Sequence, residues 1–238
     1  MNPLPIADRG YANPELLADT KWLAQRISDE NVRVIDARAP KDYAESHLPG
    51  AVSLSGFGGI PRDSSGDMAE PGKFEAVARA LGINNDTIVV VYDAPSQMMG
   101  TIAWGFLYYG HQRVHLLDGG LAKWTLEGNP TSQVIAEYPY GNFTANPDNT
   151  VYCSLPEAKQ AVSDSHSIFW DTRSLPEYEG ATSVIDVPLL RQGHIPGAVH
   201  LEWKELFDEE YKTLKAADDL RELLEARGIT PEYEVNTY

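Results

Sequence analysis

The hexapeptide "HIPGAV", residues 194–199, is a near copy of "HLPGAV", residues 47–52. A Pro-Gly turn followed by apolar residues is typical of the entry to a buried strand. Its duplication within a chain of 238 residues indicates a repeated structural unit. We therefore expect other segments around the two hexapeptides to recur as well.

Each hexapeptide follows an apolar segment that ends in Asp-x-Arg, "VRVIDAR" at 32–38 and "SIFWDTR" at 167–173. Both segments predict buried strands. Upstream of each strand stands a residue suited to cap a helix N-terminus, Asp19 in the first copy and Ser154 in the second. The capping residue precedes the strand's aspartate by 17 residues in both copies, so the two copies share one helix-strand order.

A second pair of segments follows the hexapeptides, "ALGINNDTIVVVY" at 80–92 and "ARGITPEYEVNTY" at 226–238. Each predicts a helix that ends at a C-cap glycine and is followed by a strand. The glycine precedes the final tyrosine by 10 residues in both cases. Strands that alternate with helices predict an α/β fold, with two domains that each contain a parallel sheet flanked by helices.

The two copies differ in two places. The second copy has 12 more residues between its aspartate and its histidine, an insertion that includes Arg191, and extra loop length is often functional. The first copy continues after Tyr92 into a further helix and strand, "TIAWGFLYYG" and "RVHLLD", which the second copy lacks. We expect a second domain without its C-terminal helix and strand, and a chain that ends early, at Tyr238.

Residues 128–150 are rich in Pro, Asn and Gly, and we interpret them as a linker laid over the surface. The predicted domains are residues 1–145, with the linker, and residues 146–238.

The composition limits the possible partners and cofactors. A formal net charge of -16 argues against nucleic acids and anionic membranes as partners, although one or two local arginines could still bind a small anion. The sequence contains neither an apolar stretch of about 18 residues nor a secretory signal, so we expect a soluble, cytoplasmic protein. Its single cysteine excludes a disulfide framework and a multi-cysteine zinc site, and neither a metal nor an organic cofactor is implied.

Together these motifs resemble the tandem-domain rhodanese family of sulfurtransferases. The resemblance rests on Asp36-x-Arg38 with "HLPGAV", on "YYGHQRVHLLDGGLAKW" at 108–124, and on Asp171-x-Arg173 with "QGHIPGAVHLEW" at 192–203. It covers nearly the whole chain. It implies two rhodanese-like domains, a noncatalytic first domain and a second domain of the catalytic type.

The resemblance also implies a reaction. In the family, a cysteine takes sulfane sulfur from thiosulfate or 3-mercaptopyruvate as a persulfide and passes it to a thiophilic acceptor such as cyanide or a thiol. That cysteine directly follows the strand that corresponds to "EVNTY", so the resemblance implies a nucleophile immediately after Tyr238. In the first copy the matching residue is Asp93. We therefore predict an enzyme of the thiosulfate sulfurtransferase type, and we predict that the 238-residue chain itself is inactive.

Arg191 and Arg173 are the candidate substrate-binding residues, because the family places anion-binding arginine near the first and a guanidinium suits thiosulfate or a carboxylate. The Asp-x-Arg pairs also predict ion pairs that anchor loops in both copies. We expect structural hydrogen bonds for His47 and His194, since both copies contain them. Cys153, which lies just before a helix cap, is expected to be a small, part-buried structural residue.

Two alternatives remain open. A rhodanese-like scaffold without a nucleophile could serve as a noncatalytic module that binds a protein partner. Cysteine-dependent dual-specificity phosphatases share this fold class, and a fold does not determine a reaction. The length of the loop that would carry the cysteine distinguishes the phosphatase from the sulfurtransferase.

Overall fold

The structure, a computed structural model, describes residues 3–94, 98–182 and 192–238. Its contacts divide the chain into two compact units. Unit 1 comprises Met1–Tyr152 and Glu209–Thr213, and unit 2 comprises Cys153–Asp208 and Leu214–Tyr238. The division thus falls after Tyr152, whereas the sequence predicts a boundary after residue 145.

The end of the linker belongs to unit 1 because its last residues are anchored there. The indole N–H of Trp104 donates to the Val151 carbonyl over 2.8 Å. The hydroxyl of Tyr152 donates to Asp67 over 2.5 Å, and its ring packs against Trp104 and Tyr108. These contacts involve side chains far apart in sequence, and linker composition does not indicate them. The noncatalytic and catalytic-type roles of the two domains stay a prediction.

Unit 1 contains a five-stranded sheet in the order β1-β5-β4-β2-β3, in which all neighbouring strands are parallel. The strands are β1 (Leu17–Ala18), β2 (Val32–Asp36), β3 (Val52–Ser53), β4 (Ile88–Tyr92) and β5 (Val114–Leu117). In β2 and β4 the register pairs Val32 with Ile88 and Asp36 with Tyr92. The two strands therefore end side by side at the carboxyl edge of the sheet.

Five helices flank this sheet in the described residues, and the sequence predicts the first, third and fourth of them. They are α1 (Thr20–Ala24), α2 (Pro40–Glu45), α3 (Pro71–Ala80), α4 (Met98–Tyr108) and α5 (Gly120–Leu126), with short 3₁₀ helices at Ile6–Asp8, Pro14–Leu16 and Asn149–Val151. The side chain of Asp19 caps α1 by accepting a hydrogen bond from the Lys21 amide over 2.8 Å. Gly82, after α3, has φ +72°, the left-handed conformation that glycine adopts most readily.

The sheet of unit 1 separates two apolar clusters. One contains Phe74 and Phe106 with residues of α3 and α4, and the other contains Leu23 and Trp124 with residues of α1 and α5. Both strands are covered on two faces, so β4 is apolar nearly throughout, and β2 is buried along its full length although it contains the charged Arg33 and Asp36. This burial fixes the strand ends that carry the candidate site.

Unit 2 contains a three-stranded parallel sheet in the order β7-β6-β8. Its strands are β6 (Ser167–Asp171), β7 (Val199–His200) and β8 (Glu234–Thr237), and its helices are α6 (Leu155–Ala161), α7 (Leu175–Tyr178) and α8 (Ala217–Glu225), with a 3₁₀ helix at Trp203–Leu206. Ser154 and Glu157 form the predicted capping box at α6. Parallel sheets flanked by helices confirm the predicted α/β class. Within the three described ranges, no helix is long and apolar enough to cross a membrane.

The linker follows the surface of unit 1 and is fastened to its "HLPGAV" turn. Ser132 and His47 exchange backbone hydrogen bonds of 2.7 and 2.9 Å. Farther along, the hydroxyl of Tyr138 donates to the Gly50 carbonyl over 2.7 Å. The guanidinium of the buried Arg33 lies over the Tyr138 ring, 3.1 Å from its centroid. The predicted surface linker is thus an ordered strap across the first hexapeptide.

Candidate functional site

A network of charged and phenolic groups joins the strand ends of unit 1. The Asp36 carboxylate, at the end of β2, accepts hydrogen bonds from Arg38 Nη2 at 2.6 Å and from the Tyr92 hydroxyl at 2.6 Å. The Tyr92 oxygen accepts in turn from the Leu48 amide at 3.0 Å, and Arg38 Nη2 donates to the Ser46 carbonyl at 2.5 Å. We call Asp36, Arg38 and Tyr92 the Asp-Arg-Tyr network of unit 1. It ties β2, β4 and the "HLPGAV" turn together.

Unit 2 repeats this network with Asp171, Arg173 and Tyr238. Arg173 Nη2 donates to Asp171 over 2.5 Å and to the Gly193 carbonyl over 2.9 Å. The Tyr238 hydroxyl is hydrogen-bonded to the Asp171 carboxylate and accepts from the Ile195 amide over 2.9 Å. The ion pairs predicted for both Asp-x-Arg motifs are therefore confirmed.

The two hexapeptide histidines also occupy equivalent positions. His47 stacks on Tyr43 with ring centroids 3.9 Å apart, and its Nδ1 lies 2.7 Å from the Tyr43 carbonyl. His194 stacks on Tyr178 at 3.8 Å, with its Nδ1 2.8 Å from the Tyr178 carbonyl. Structural hydrogen bonds are confirmed for both histidines. They differ in exposure, because His47 is fully buried and His194 is exposed.

The electrostatics of unit 2 keep the network in one protonation state. Burial alone would raise the pKa of the Asp171 carboxyl, but hydrogen bonds from Arg173 and Tyr238 and the Arg173 charge outweigh burial and lower it. The hydrogen bond to Asp171 raises the pKa of the Arg173 guanidinium. Burial and the nearby carboxylate raise the pKa of the Tyr238 hydroxyl. Near neutral pH, Tyr238 is thus a neutral donor to an ionised carboxylate.

The residue after β4 shows what the carboxyl edge of such a sheet can hold. Asp93 directly follows Tyr92 and is almost fully buried. Its Oδ2 accepts a hydrogen bond of 3.1 Å from the Met99 amide in the first turn of α4, and its backbone carbonyl accepts from the Leu121 amide over 2.9 Å. Helix N-termini stabilise negative charge through their free N–H groups and the helix dipole. The position after the central strand is therefore suited to an anionic side chain.

The two candidate substrate-binding arginines have different outcomes. Arg173 lies at the carboxyl edge of unit 2 and its side chain is 33% exposed, with Nε and Nη2 bonded to Asp171. Nη1 is the guanidinium nitrogen outside these bonds that could meet an anion. Arg191 lies outside the described residues. A substrate-binding role for each stays a prediction.

Cys153, the chain's single cysteine, has an environment opposite to that of a catalytic thiol. The expected partial burial is wrong, because Cys153 lies at the start of unit 2 with its residue exposed. Burial by its neighbours and the negative charges of Glu157 and Glu234 raise the pKa of the thiol. Nucleophilic cysteines instead have their pKa lowered by cations or helix N-termini.

Sequence analysis missed the tyrosines of both sites. Tyr43 and Tyr178 each follow the strand's aspartate by seven residues, and Tyr92 and Tyr238 are the last residues of the matching segments 80–92 and 226–238. Their recurrence in the repeat was the available signal. It was missed because a tyrosine at the end of an apolar run reads as a core residue rather than as a hydrogen-bond donor.

Comparisons with known proteins agree with this geometry. A family model described as "Rhodanese-like domain" matches residues 19–127. The "Sulfur carrier protein TtuD" of Thermus thermophilus is 32% identical over 241 residues, which cover 96% of this chain and 84% of the relative. A "Thiosulfate sulfurtransferase" of Corynebacterium glutamicum is 28% identical over 239 residues, which cover 92% of this chain and 79% of that relative.

Among solved structures, the chain is similar to SseA from Escherichia coli, described as a 3-mercaptopyruvate sulfotransferase with the "Rhodanese" fold. The TM-score is 0.80 at 26% identity, over 93% of this chain and 87% of SseA.

Proposed function

The chain belongs to the rhodanese family, and from this membership we propose that the protein moves sulfane sulfur from a small anionic donor to a thiophilic acceptor. The proposed donors are thiosulfate and 3-mercaptopyruvate, and the proposed acceptors are cyanide and thiols. The names of the similar proteins from Corynebacterium glutamicum and Escherichia coli support a sulfurtransferase role with these donors.

The proposed reaction proceeds through a cysteine persulfide. A cysteine thiolate attacks the outer sulfur of thiosulfate, the S–S bond of the donor breaks, and sulfite leaves with the bonding electron pair. With 3-mercaptopyruvate the C–S bond breaks instead, and the carbon takes up the thiol proton, which gives pyruvate. Cyanide then attacks the outer persulfide sulfur, thiocyanate leaves, and the cysteine thiolate is regenerated.

One observation carries the proposed position of the nucleophile, namely the equivalence of Tyr92 and Tyr238. Both tyrosines end the same strand of the repeat and bond to the aspartate that ends the neighbouring strand. In unit 1 the next residue, Asp93, holds its carboxylate at the N-terminus of α4. We propose that a cysteine occupies the matching position, immediately after Tyr238, where helix N–H groups would favour its thiolate.

Binding of the anionic donor is assigned to arginine. We propose that Arg173 meets the donor through Nη1 while Nε and Nη2 keep the bonds to Asp171. The second proposed contact is Arg191, by its place in the insertion that only the second copy contains. A cytoplasmic location remains part of the proposal.

The 238-residue chain itself is proposed to be inactive. Partial desolvation and the charges of Glu157 and Glu234 disfavour the thiolate of its single cysteine, Cys153. Sulfur transfer through a cysteine then requires a residue outside these 238.

The test is intact-mass analysis after incubation with thiosulfate. We expect no sulfur uptake by the 238-residue chain. The chain expressed from its gene with the residues encoded after Tyr238 should gain one sulfur and lose it on addition of cyanide. A codon other than cysteine after Tyr238 would refute the proposed nucleophile. Uptake by the 238-residue chain that disappears in Cys153→Ser would refute the proposed inactivity.

A further inference from the structure

Tyr238 is fixed in place by hydrogen bonds to two segments of unit 2, residues 170–172 and the turn at Ile195. Its amide donates to the Trp170 carbonyl over 3.2 Å, and its carbonyl accepts from the Thr172 amide over 3.1 Å. Its hydroxyl bonds to Asp171 and accepts from the Ile195 amide over 2.9 Å. Both the backbone and the side chain are therefore constrained.

One of these constraints occurs only in the second copy. Thr172 Oγ1 donates to the Tyr238 carbonyl over 2.9 Å. The residue at the matching position of unit 1 is Ala37, whose amide donates to the Tyr92 carbonyl over 2.8 Å but whose side chain has no donor. The Thr172 side chain thus adds a hydrogen bond at position 238 that Ala37 cannot supply at position 92.

The network also connects Tyr238 to the inserted loop. Gly193 and Ile195 follow the insertion directly, and they bond to Arg173 and to the Tyr238 hydroxyl over 2.9 Å each. A shift of the turn at 193–195 would therefore move the end of β8. The Tyr238 hydroxyl thus links the turn that follows the insertion in sequence to Asp171 at the end of β6.

We infer that Tyr238 is a positioning residue for sulfur transfer, which fixes the backbone from which the nucleophile projects relative to the donor-binding turn. The inference rests on the proposed function. Reaction geometry is sensitive to displacements of about 1 Å, which can cost up to about a hundredfold in rate. Removing the hydroxyl frees the strand end from both Asp171 and the turn. The nucleophile then reaches the donor less often in the reactive orientation.

Tyr92 provides a matched control within the same chain. Its hydroxyl makes the same two bonds, to Asp36 over 2.6 Å and from the Leu48 amide over 3.0 Å. It is followed by Asp93, which cannot form a persulfide. Tyr92→Phe therefore removes the same group from an equivalent network and should lower stability at least as much, because it is the more buried tyrosine.

The experiment measures kcat and KM for thiosulfate, with cyanide as acceptor, in the chain expressed with the residues encoded after Tyr238. We expect Tyr238→Phe to lower kcat about tenfold and to change KM less than about twofold, because the loss arises in the transition state. Tyr92→Phe should lower the melting temperature and leave kcat per folded molecule unchanged. Thr172→Ala, which introduces the residue of unit 1, should lower kcat about threefold without unfolding unit 2.

The outcomes separate this inference from the proposed function. If the unmodified protein transfers sulfur, and Tyr238→Phe or, should that variant fail to fold, Thr172→Ala keeps the full kcat, the positioning role is wrong and the proposed function stands. Equal losses of kcat in Tyr238→Phe and Tyr92→Phe would also overturn the positioning role, because they would show that Tyr238 acts only through the stability of the fold. If the unmodified protein transfers no sulfur, the proposed function fails and the inference fails with it.

Discussion

The Asp-Arg-Tyr networks of the two units have the same geometry in different surroundings. Asp36 and Asp171 are both fully buried, but the arginine side chain is 10% exposed in unit 1 and 33% exposed in unit 2. The strap residue Ser132 covers the first hexapeptide histidine, whereas the second histidine is exposed. The same bonds form in both places, so spacing in the repeat specifies the network, and the surroundings set how much it contributes to stability.

The largest expected difference concerns the aspartates. Asp36→Ala leaves a nearly buried Arg38 without its partner, and we expect a loss of about 3–5 kcal/mol in the free energy of unfolding. Asp171→Ala leaves an arginine that water can partly reach, so we expect about 1–3 kcal/mol. Urea denaturation followed by tryptophan fluorescence measures both. Asp218→Ala, at an exposed ion pair with Arg221, is the control and should cost less than about 1 kcal/mol. Equal losses at Asp36 and Asp171 would show that burial of the arginine does not set the contribution.

The histidines should differ less. His47 contacts Tyr43, and its Nε2 lies 3.0 Å from the Val134 carbonyl of the strap, so His47→Ala removes a buried stack and two polar contacts. We expect a loss of about 2–3 kcal/mol, against about 1 kcal/mol or less for His194→Ala. A glutamate-specific protease provides a second measurement, because a loosened strap exposes the peptide bond after Glu137. Faster cleavage there in His47→Ala and unchanged cleavage in His194→Ala are expected. Equal cleavage in both variants would mean that the ring does not hold the strap.

The local features that the sequence predicted correctly are formed by residues close together in the chain. The cap at Asp19, the capping box at Ser154, the glycine after α3 and the Asp-x-Arg ion pairs all join groups a few residues apart. Their spacing is therefore sufficient to identify them. The alternation of strands and helices predicted a parallel sheet in each unit, which the structure confirms.

The features that were missed join residues far apart in sequence. Asp171 bonds to Tyr238, and the hydroxyl of Tyr152 reaches Asp67. Such partners are fixed only when the sheet brings strand ends and loops together, and no local pattern encodes the register that does so. The same reason explains why linker composition did not reveal that the chain divides after Tyr152.

A smaller change in stability is expected at acidic pH, where the Asp171 carboxylate takes up a proton. Because the pKa of Asp171 is lowered in the folded state, its contribution to stability is fully present above the ordinary aspartate pKa of about 3.9. That contribution is lost as the pH falls toward the folded-state pKa. The stability difference between the unmodified chain and Asp171→Asn should therefore be constant from about pH 7 to about pH 5 and narrow below about pH 4. Urea midpoints measured across this range test it. A constant difference down to pH 2 would contradict the lowered pKa.

The smallest expected effect concerns Cys153. Its surroundings are compared with those of the proposed nucleophile, which would follow Tyr238. Partial desolvation and neighbouring carboxylates raise the pKa of the Cys153 thiol, whereas the Met99 amide of α4 donates to the carboxylate of Asp93, at the matching position of unit 1. Iodoacetamide should therefore alkylate Cys153 slowly near pH 7, with a rate that still rises above the ordinary thiol pKa of about 8.5. Cys153→Ser should change the free energy of unfolding by less than about 0.5 kcal/mol, because the residue is exposed. Rapid alkylation at neutral pH would show that the carboxylates do not suppress the thiolate, and would make Cys153 a competing sulfur acceptor.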